Sequence, residues 1–128
     1  MKLRKQYHFW PSERGLQAWD VHNLIELAND LPVEDVPLDS IDEVDTIYWF
    51  DGEYQKPTVR KVIEHTKLIE AADLTYPIIL SSTGRVMDGM HRIAKALVEE
   101  RTHIQAHRFK TDPPPDHIGV HPRDLDYD

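Results

Sequence analysis

At 128 residues and 15.0 kDa the chain has the size of one domain. It has no cysteine, which excludes a disulfide scaffold, a thiolate metal site and a cysteine nucleophile. Twenty-three acids against 15 bases give a formal charge of −8, which argues against strong DNA binding, because that needs a net basic face.

Leu, Ile, Val and Phe make up about a quarter of the chain, above the roughly one-fifth typical of disordered chains. No run approaches the ~18 apolar residues of a membrane helix. The opening MKLRKQYHFWPSERG is basic without an apolar core, so no secretory leader is expected. These features lead to the expectation of a soluble, cytoplasmic protein with no membrane association.

In chain order, residues 1–15 read as irregular. Asp20–Leu31 reads as a helix: Val21, Leu24, Ile25, Ala28 and Leu31 share one face, Asp20 can cap the start, and Pro32 ends it. VEDVPLDSI (33–41) reads as a short strand, with Pro37 implying an edge. Ile47-Tyr48-Trp49-Phe50 is an apolar burst before the turn signal Asp51-Gly52, either a strand or a loop covering the core. Thr58–Ala72 is the clearest helix, with Thr58 as N-cap and Val59, Val62, Ile63, Thr66, Ile69 and Ala72 as its inward face. Pro77–Leu80 reads as a buried strand, Ser81–Gly84 as a turn, and Arg85–Met87 as the returning strand. A helix follows over Met90–Glu100, with Met90, Ile93, Ala94, Leu97 and Val98 apolar, then a last strand over Thr102–Phe109. After Asp112-Pro-Pro-Pro-Asp116 the tail reads as extended or partly disordered. The class implied is α+β in three segments: an N-terminal helical extension on the core (1–32), a central domain (33–110) and a Pro-rich acidic tail (111–128).

Charge is distributed unevenly. Eight acids and no Lys or Arg fall between Val33 and Gln55: Glu34, Asp35, Asp39, Asp42, Glu43, Asp45, Asp51 and Glu53. Such a segment can bind Mg²⁺, dock a basic protein partner, or simply be a solvated loop and strand edge. Between Gly84 and Lys110 six bases face three acids, a local excess that suits a small anion better than a duplex.

The segment with most chemistry is Met87-Asp88-Gly89-Met90-His91-Arg92. A strand ends, a glycine turns the chain and a helix begins. The first N–H groups of a helix lack internal acceptors and carry positive potential, which makes the terminus an anion site. Gly89 lets a phosphate approach the backbone, Arg92 can add a forked contact, and His91 can donate. Asp88 is suited to accept a proton from a substrate hydroxyl or to hold a metal ion. Plain structural roles are also open: Asp88 as a cap, Gly89 as a turn residue, Arg92 and Lys95 as exposed helix residues.

From about Val33 to Phe109 the chain resembles the ParB/sulfiredoxin superfamily domain, a small mixed sheet packed with helices. VPLDSI matches the opening strand, residues 58–72 the helix, and PIILSSTGRVMDGMHRIAKAL with residues 102–109 the remainder. DGMHRIAKAL is similar to the superfamily's phosphate-binding signature. The resemblance implies a nucleotide ligand: CTP as in partition proteins, ATP as in sulfiredoxins, or ADP or ATP as in free serine kinases, with or without Mg²⁺. It implies phosphate contacts from Gly89, Met90, His91 and Arg92, with Asp88 and His91 as the candidate catalytic pair. Sulfiredoxins carry their nucleophilic cysteine where this chain has Met90, so their chemistry does not transfer. Partition proteins carry a Mg²⁺-holding glutamate there. They also append a helix-turn-helix domain, for which the residues after Phe109 leave no room.

Other constellations point less clearly. His103 and His107, and His117 and His121, are four apart, but neither pair sits on an expected helix, so no metal site is assigned. Ser81 and Ser82 lack a nucleophile-elbow context and read as turn residues. Trp10, Trp19, Tyr48, Trp49 and Phe50 can stack a base or plug a small core. The resemblance to the serine kinases implies an acid near the first strand as general base, with Glu34, Asp35, Asp45 and Glu53 the candidates. Two functions follow. One is a nucleotide-binding phosphotransferase or NTPase. The other is a non-catalytic module docking a basic partner through the acidic segment.

Overall fold

The computed structural model describes residues 6–50 and 55–125, so Asp51, Gly52 and Glu53 lie outside the described residues. The elements are β1 (Tyr7–Ser12), β2 (Gly15–Asp20), α1 (Val21–Ala28), β3 (Val33–Pro37), α2 (Val59–Ala71), β4 (Ile78–Leu80), β5 (Val86–Asp88), α3 (Met90–Val98), β6 (His103–Arg108) and β7 (His117–Ile118). Short 3₁₀ turns occupy Leu38–Ser40, Asp42–Asp45 and Pro122–Asp124. The result is one small α+β domain with two sheets.

The four-stranded sheet has the order β3-β6-β4-β5, with β4 parallel to β6 and the other pairs antiparallel. β3 is an edge strand, as Pro37 requires. β4 is buried on both faces, which is why its sequence is a continuous apolar run. Ile78 and Leu80 join Val86, Met90, Ile93 and Ala96 on one side. Ile79 joins Trp19, Leu24, Ala28, Met87 and Phe109 on the other. The period-two alternation of a strand thus divides the core between α3 and α1.

The N-terminal residues correct the sequence reading. They form the β1–β2 hairpin rather than irregular chain, so the extension is helical only in α1. α1 starts where expected: the Asp20 side chain accepts from the His22 N–H. The described residues of the tail, 111–125, are tied to the fold. β7 pairs with β2 to complete a three-stranded sheet, β1-β2-β7. Asp116 accepts from the Asp20 N–H at 2.8 Å and from Asn23 Nδ2 at 3.0 Å. Trp19 Nε1 donates to the Pro113 carbonyl at 2.9 Å. These long-range bonds hold a segment whose composition alone predicts looseness.

α2 is a second correction. Thr58 caps it, accepting from the Lys61 N–H at 3.2 Å. No residue of α2 is buried, however, and its half-buried positions are Lys61, His65, Leu68 and Ile69. Of the expected inward face only Ile69 and Ala72 are half-buried. The sheet face is already filled by Met90, Ile93 and Ala96 of α3, so α2 packs on the flank of α3.

Candidate functional site

The β5–Gly89–α3 junction is built as the sequence indicates. Gly89 is the N-cap of α3 at φ +115°, with no side-chain cap bond. A Cβ there would lie 2.5 Å from Ile78 Cγ2 and 2.8 Å from Ile78 Cβ. Only glycine fits, both for its backbone angle and for close packing on β4.

Asp88 and Arg92 meet across this glycine. Arg92 Nη2 donates to Asp88 Oδ2 at 2.8 Å, and both side chains are largely covered, 16% and 17% exposed. Arg92 Nη1 donates to the carbonyls of Tyr76 at 3.0 Å and Pro77 at 2.7 Å. One turn on, Lys95 Nζ donates to the carbonyls of Glu70 at 2.9 Å and Ala72 at 2.7 Å. The two cations of α3 therefore hold the end of α2 and its link to β4, a helix end that exposes carbonyls without intrahelical partners. Neither is the exposed helix residue that a surface reading suggests. Burial pushes the Asp88 carboxyl above its ordinary range, and the Arg92 guanidinium opposes that.

His91 leaves the helix on another flank. Its Nε2 lies 2.9 Å from Nδ1 of His65. The two rings are nearly coplanar, at 18°, with centroids 5.1 Å apart. Trp49 stacks over both, at 4.5 Å and 16° from His65 and 4.6 Å and 11° from His91. These distances seat one indole across two edge-joined imidazoles at van der Waals height. Phe50 closes edge-on to His65 at 5.3 Å. A bond between two imidazole nitrogens needs one donor and one acceptor, so the pair accommodates one proton between those nitrogens, not two.

Met90 splits from the other signature residues. Its side chain is buried in the core cluster and also lines the groove beside the site. Alongside runs an apolar groove of about 540 Å³, lined by Ile47, Tyr48, Trp49, Phe50, Ala94 and Leu97 with Glu43 at its edge. The apolar burst 47–50 is thus a covering loop, not a strand. Tyr48 sits in it with its hydroxyl pushed up to about 12, by burial first and then by the Glu43 carboxylate. Glu43 Oε1 accepts from the Val86 N–H at 2.6 Å, which ties the acidic turn to the edge of β5.

The remaining sequence candidates are scattered. Glu34 pairs with Arg108 at 3.1 Å, and Asp35 lines a separate, mixed-charge groove with Lys95 and Arg101. Asp45 is exposed on its 3₁₀ turn. The basic stretch is not one patch: Arg85 lies over the Trp10 ring at 4.4 Å and Arg101 pairs with Glu99 at 3.0 Å. His107 bonds the Leu31 carbonyl, His103 bonds Thr102, and His121 accepts from the Arg123 N–H. Among the described residues no three potential metal ligands converge. Among them, too, no helix is long and apolar enough to cross a membrane. Ser81 is buried and its Oγ accepts from the Arg85 N–H at 3.0 Å, a turn role as expected. His65 was not among the sequence candidates. It lies off the apolar stripe of α2, so only the packing of α2 on α3 reveals it.

Comparison with protein-family models, with curated proteins and with solved structures finds no match to this chain.

Proposed function

We propose that the chain is a ParB/sulfiredoxin-like domain that binds a nucleotide or another phosphate-bearing ligand at Gly89–Arg92. The observation that carries this reading is the His65–His91 pair beside a helix terminus with no side-chain cap. Backbone N–H groups of residues 89–92 and a protonatable imidazole suit an anion. The adjoining apolar groove suits the organic part of the same molecule, its size and lining being those of small-molecule sites. Candidate ligands are ATP, ADP and CTP, with or without Mg²⁺.

Binding is favoured over turnover. Asp88, the candidate base, is engaged by Arg92 rather than facing an open acceptor position. A phosphotransferase or NTPase reading requires that pair to open. The docking reading keeps one supporting observation: Asp35, Asp39, Asp42 and Asp45 are exposed along one stretch of chain, a surface suited to a basic partner.

The test is thermal unfolding of the wild type, His91→Ala and His65→Ala against ATP, ADP, CTP, GTP and inorganic phosphate, each with and without Mg²⁺. A ligand at 100 times its Kd adds about 2.7 kcal/mol, a shift of several degrees for a domain this size. The expected result is a shift with one nucleotide that both histidine variants diminish. No shift with any compound, or a shift both variants retain, overturns the reading.

A further inference from the structure

The β1–β2 hairpin buries an ionisable ring. His8 is 8% exposed, and its Nε2 is fully enclosed with no hydrogen-bond partner among the described residues. The ring is walled by Trp10, at 4.8 Å and 78°, and by Trp19, at 5.8 Å and 41°. The Arg85 guanidinium lies over the Trp10 ring at 4.4 Å. A neutral imidazole tolerates this enclosure, because one of its nitrogens carries no proton. A protonated one would be a buried cation with an unpaired N–H beside a second cation. Burial first, and then the Arg85 charge, lower its pKa from 6.5 to about 4.

The elements packed round His8 offer it no counter-ion among their described residues. The strand register puts Tyr7, Asp20 and His117 on the opposite face of the sheet from His8 and Trp19. Asp20 caps α1, and His22 of α1 lies beside Asp20. In the tail, Asp116 accepts from the Asp20 N–H and Asp112 from the Ser82 N–H. Asp88 of β5 is held by Arg92. The charge that acts on His8 is Arg85, and it has the wrong sign.

The order of the three-stranded sheet decides which part yields. β1 is its outer strand and pairs with β2 alone. β2 is held on its other side by β7, runs directly into α1 and places Trp19 in a core cluster. Neither core cluster has a β1 residue among its buried members. Loss of β1 therefore costs the ladder to β2 and the Trp10 contacts, and leaves both clusters filled.

We propose that β1 is an acid-released latch: protonation of His8 frees this strand from the fold while the four-stranded sheet stays closed. Release uncovers Trp19 and the edge of β2, a row of unpaired backbone groups open to another strand. The latch is independent of any ligand at Gly89–Arg92.

The test is amide hydrogen exchange of the full chain, followed residue by residue by NMR from about pH 7.5 to about pH 5, with rates corrected for the intrinsic pH dependence of exchange. Linkage to a group whose pKa moves from 6.5 to about 4 raises the opening constant about 30-fold over this range. The β1 amides should lose that factor of protection while those of β4 and β6 keep theirs. His8→Phe keeps a ring between the two tryptophans and takes no proton, so it should hold β1 closed across the range. The ring nitrogen shifts of His8 give a second reading that needs no variant. They should show a neutral ring at about pH 5.5, where an exposed histidine is about nine-tenths protonated. Unchanged protection of β1, loss in β1, β4 and β6 together, an equal loss in His8→Phe, or a His8 ring that titrates near the ordinary value of about 6.5 overturns the proposal.

Discussion

The two flanks of α3 use the same helical turn for different ends. On one flank Arg92 and Lys95 have their charges committed to four backbone carbonyls and to Asp88. On the other, His91 meets His65 beneath Trp49, beside an apolar groove. A signature arginine is easily read as a ligand contact, because a guanidinium suits phosphate. Here the same guanidinium suits helix-end carbonyls and a buried carboxylate equally well. Both flanks border unfilled volume, a polar groove of about 800 Å³ at Lys95 and the apolar groove of about 540 Å³ at the imidazole pair. What separates them is that the Arg92 guanidinium is taken up by two carbonyls and Asp88, so at the proposed site a ligand contact is better sought at His91.

The comparison breaks most severely at the residue that both flanks share. Gly89→Ala would force an alanine to φ +115° and drive its Cβ to 2.5 Å from Ile78. Backbone strain and overpacking each cost about 1–3 kcal/mol, so the loss should be about 3 kcal/mol or more and soluble yield should fall. Denaturant unfolding measures it, and a near-wild-type midpoint would mean the junction is looser than its packing indicates.

Arg92→Ala tests the locked flank. It leaves Asp88 buried without its cation and the Tyr76 and Pro77 carbonyls without that donor. The expected loss is about 2–3 kcal/mol, because removing one partner of a covered pair costs more than the pair contributes. Adding Asp88→Asn should restore part of it, since the stranded charge is then gone. Loss of ligand response without loss of stability in Arg92→Ala would reverse the assignment of the two flanks.

Much of this was legible in the sequence, for a physical reason. β4, α3, the Ser81–Gly84 turn and the caps Asp20 and Thr58 follow from local pattern and local hydrogen bonding, which travel with the residues. β7 was not legible, because its partner β2 lies about a hundred residues away and the tail's composition argues for looseness; the β1–β2 hairpin is local, but Pro11 inside β1 masks its strand pattern. The orientation of α2 was misread. Periodicity finds an apolar stripe but does not say which surface it faces, and α3 had already filled the sheet. The strand–glycine–helix turn at 88–92 was legible as local geometry. The role of Arg92 and the presence of His65 were not, since both depend on where the end and the middle of α2 come to rest.

A third expectation concerns pH, and it must be separated from the imidazole pair. His8 is buried between Trp10 and Trp19, and its Nε2 meets no hydrogen-bond partner. Burial first, then the Arg85 charge, lowers it from 6.5 to about 4. Above pH 6.5 it is neutral folded or unfolded and adds no slope. Between pH 6.5 and about 4 the unfolded chain binds the proton and the folded chain does not, so stability falls as pH drops. The loss is on the order of 3 kcal/mol and levels off below pH 4. His8→Phe should flatten this part of the profile. A profile unchanged by His8→Phe would assign the slope elsewhere, and the His65–His91 pair would be the next group to test.

The smallest expected effect on stability is the one that sharpens the comparison most. His65→Phe keeps a flat ring beneath Trp49 and removes the bond to His91 Nε2. A single hydrogen bond on a half-buried surface contributes about 0.5–1.5 kcal/mol, so the melting temperature should move by only a few degrees. If the imidazole flank holds an anion, His65→Phe should nevertheless abolish most of the stabilisation that the ligand adds, because His91 loses the partner that sets its tautomer and orients its ring. Arg92→Lys gives the opposite pattern. It keeps one charge near Asp88 but cannot serve both carbonyls and the carboxylate with a rigid fork, so it should lower stability while leaving the ligand shift intact. The two variants measured together separate a residue that builds the site from one that works in it. Equal loss of ligand response in both would mean that the flanks act as one unit and that Arg92 leaves its carbonyls when the ligand arrives.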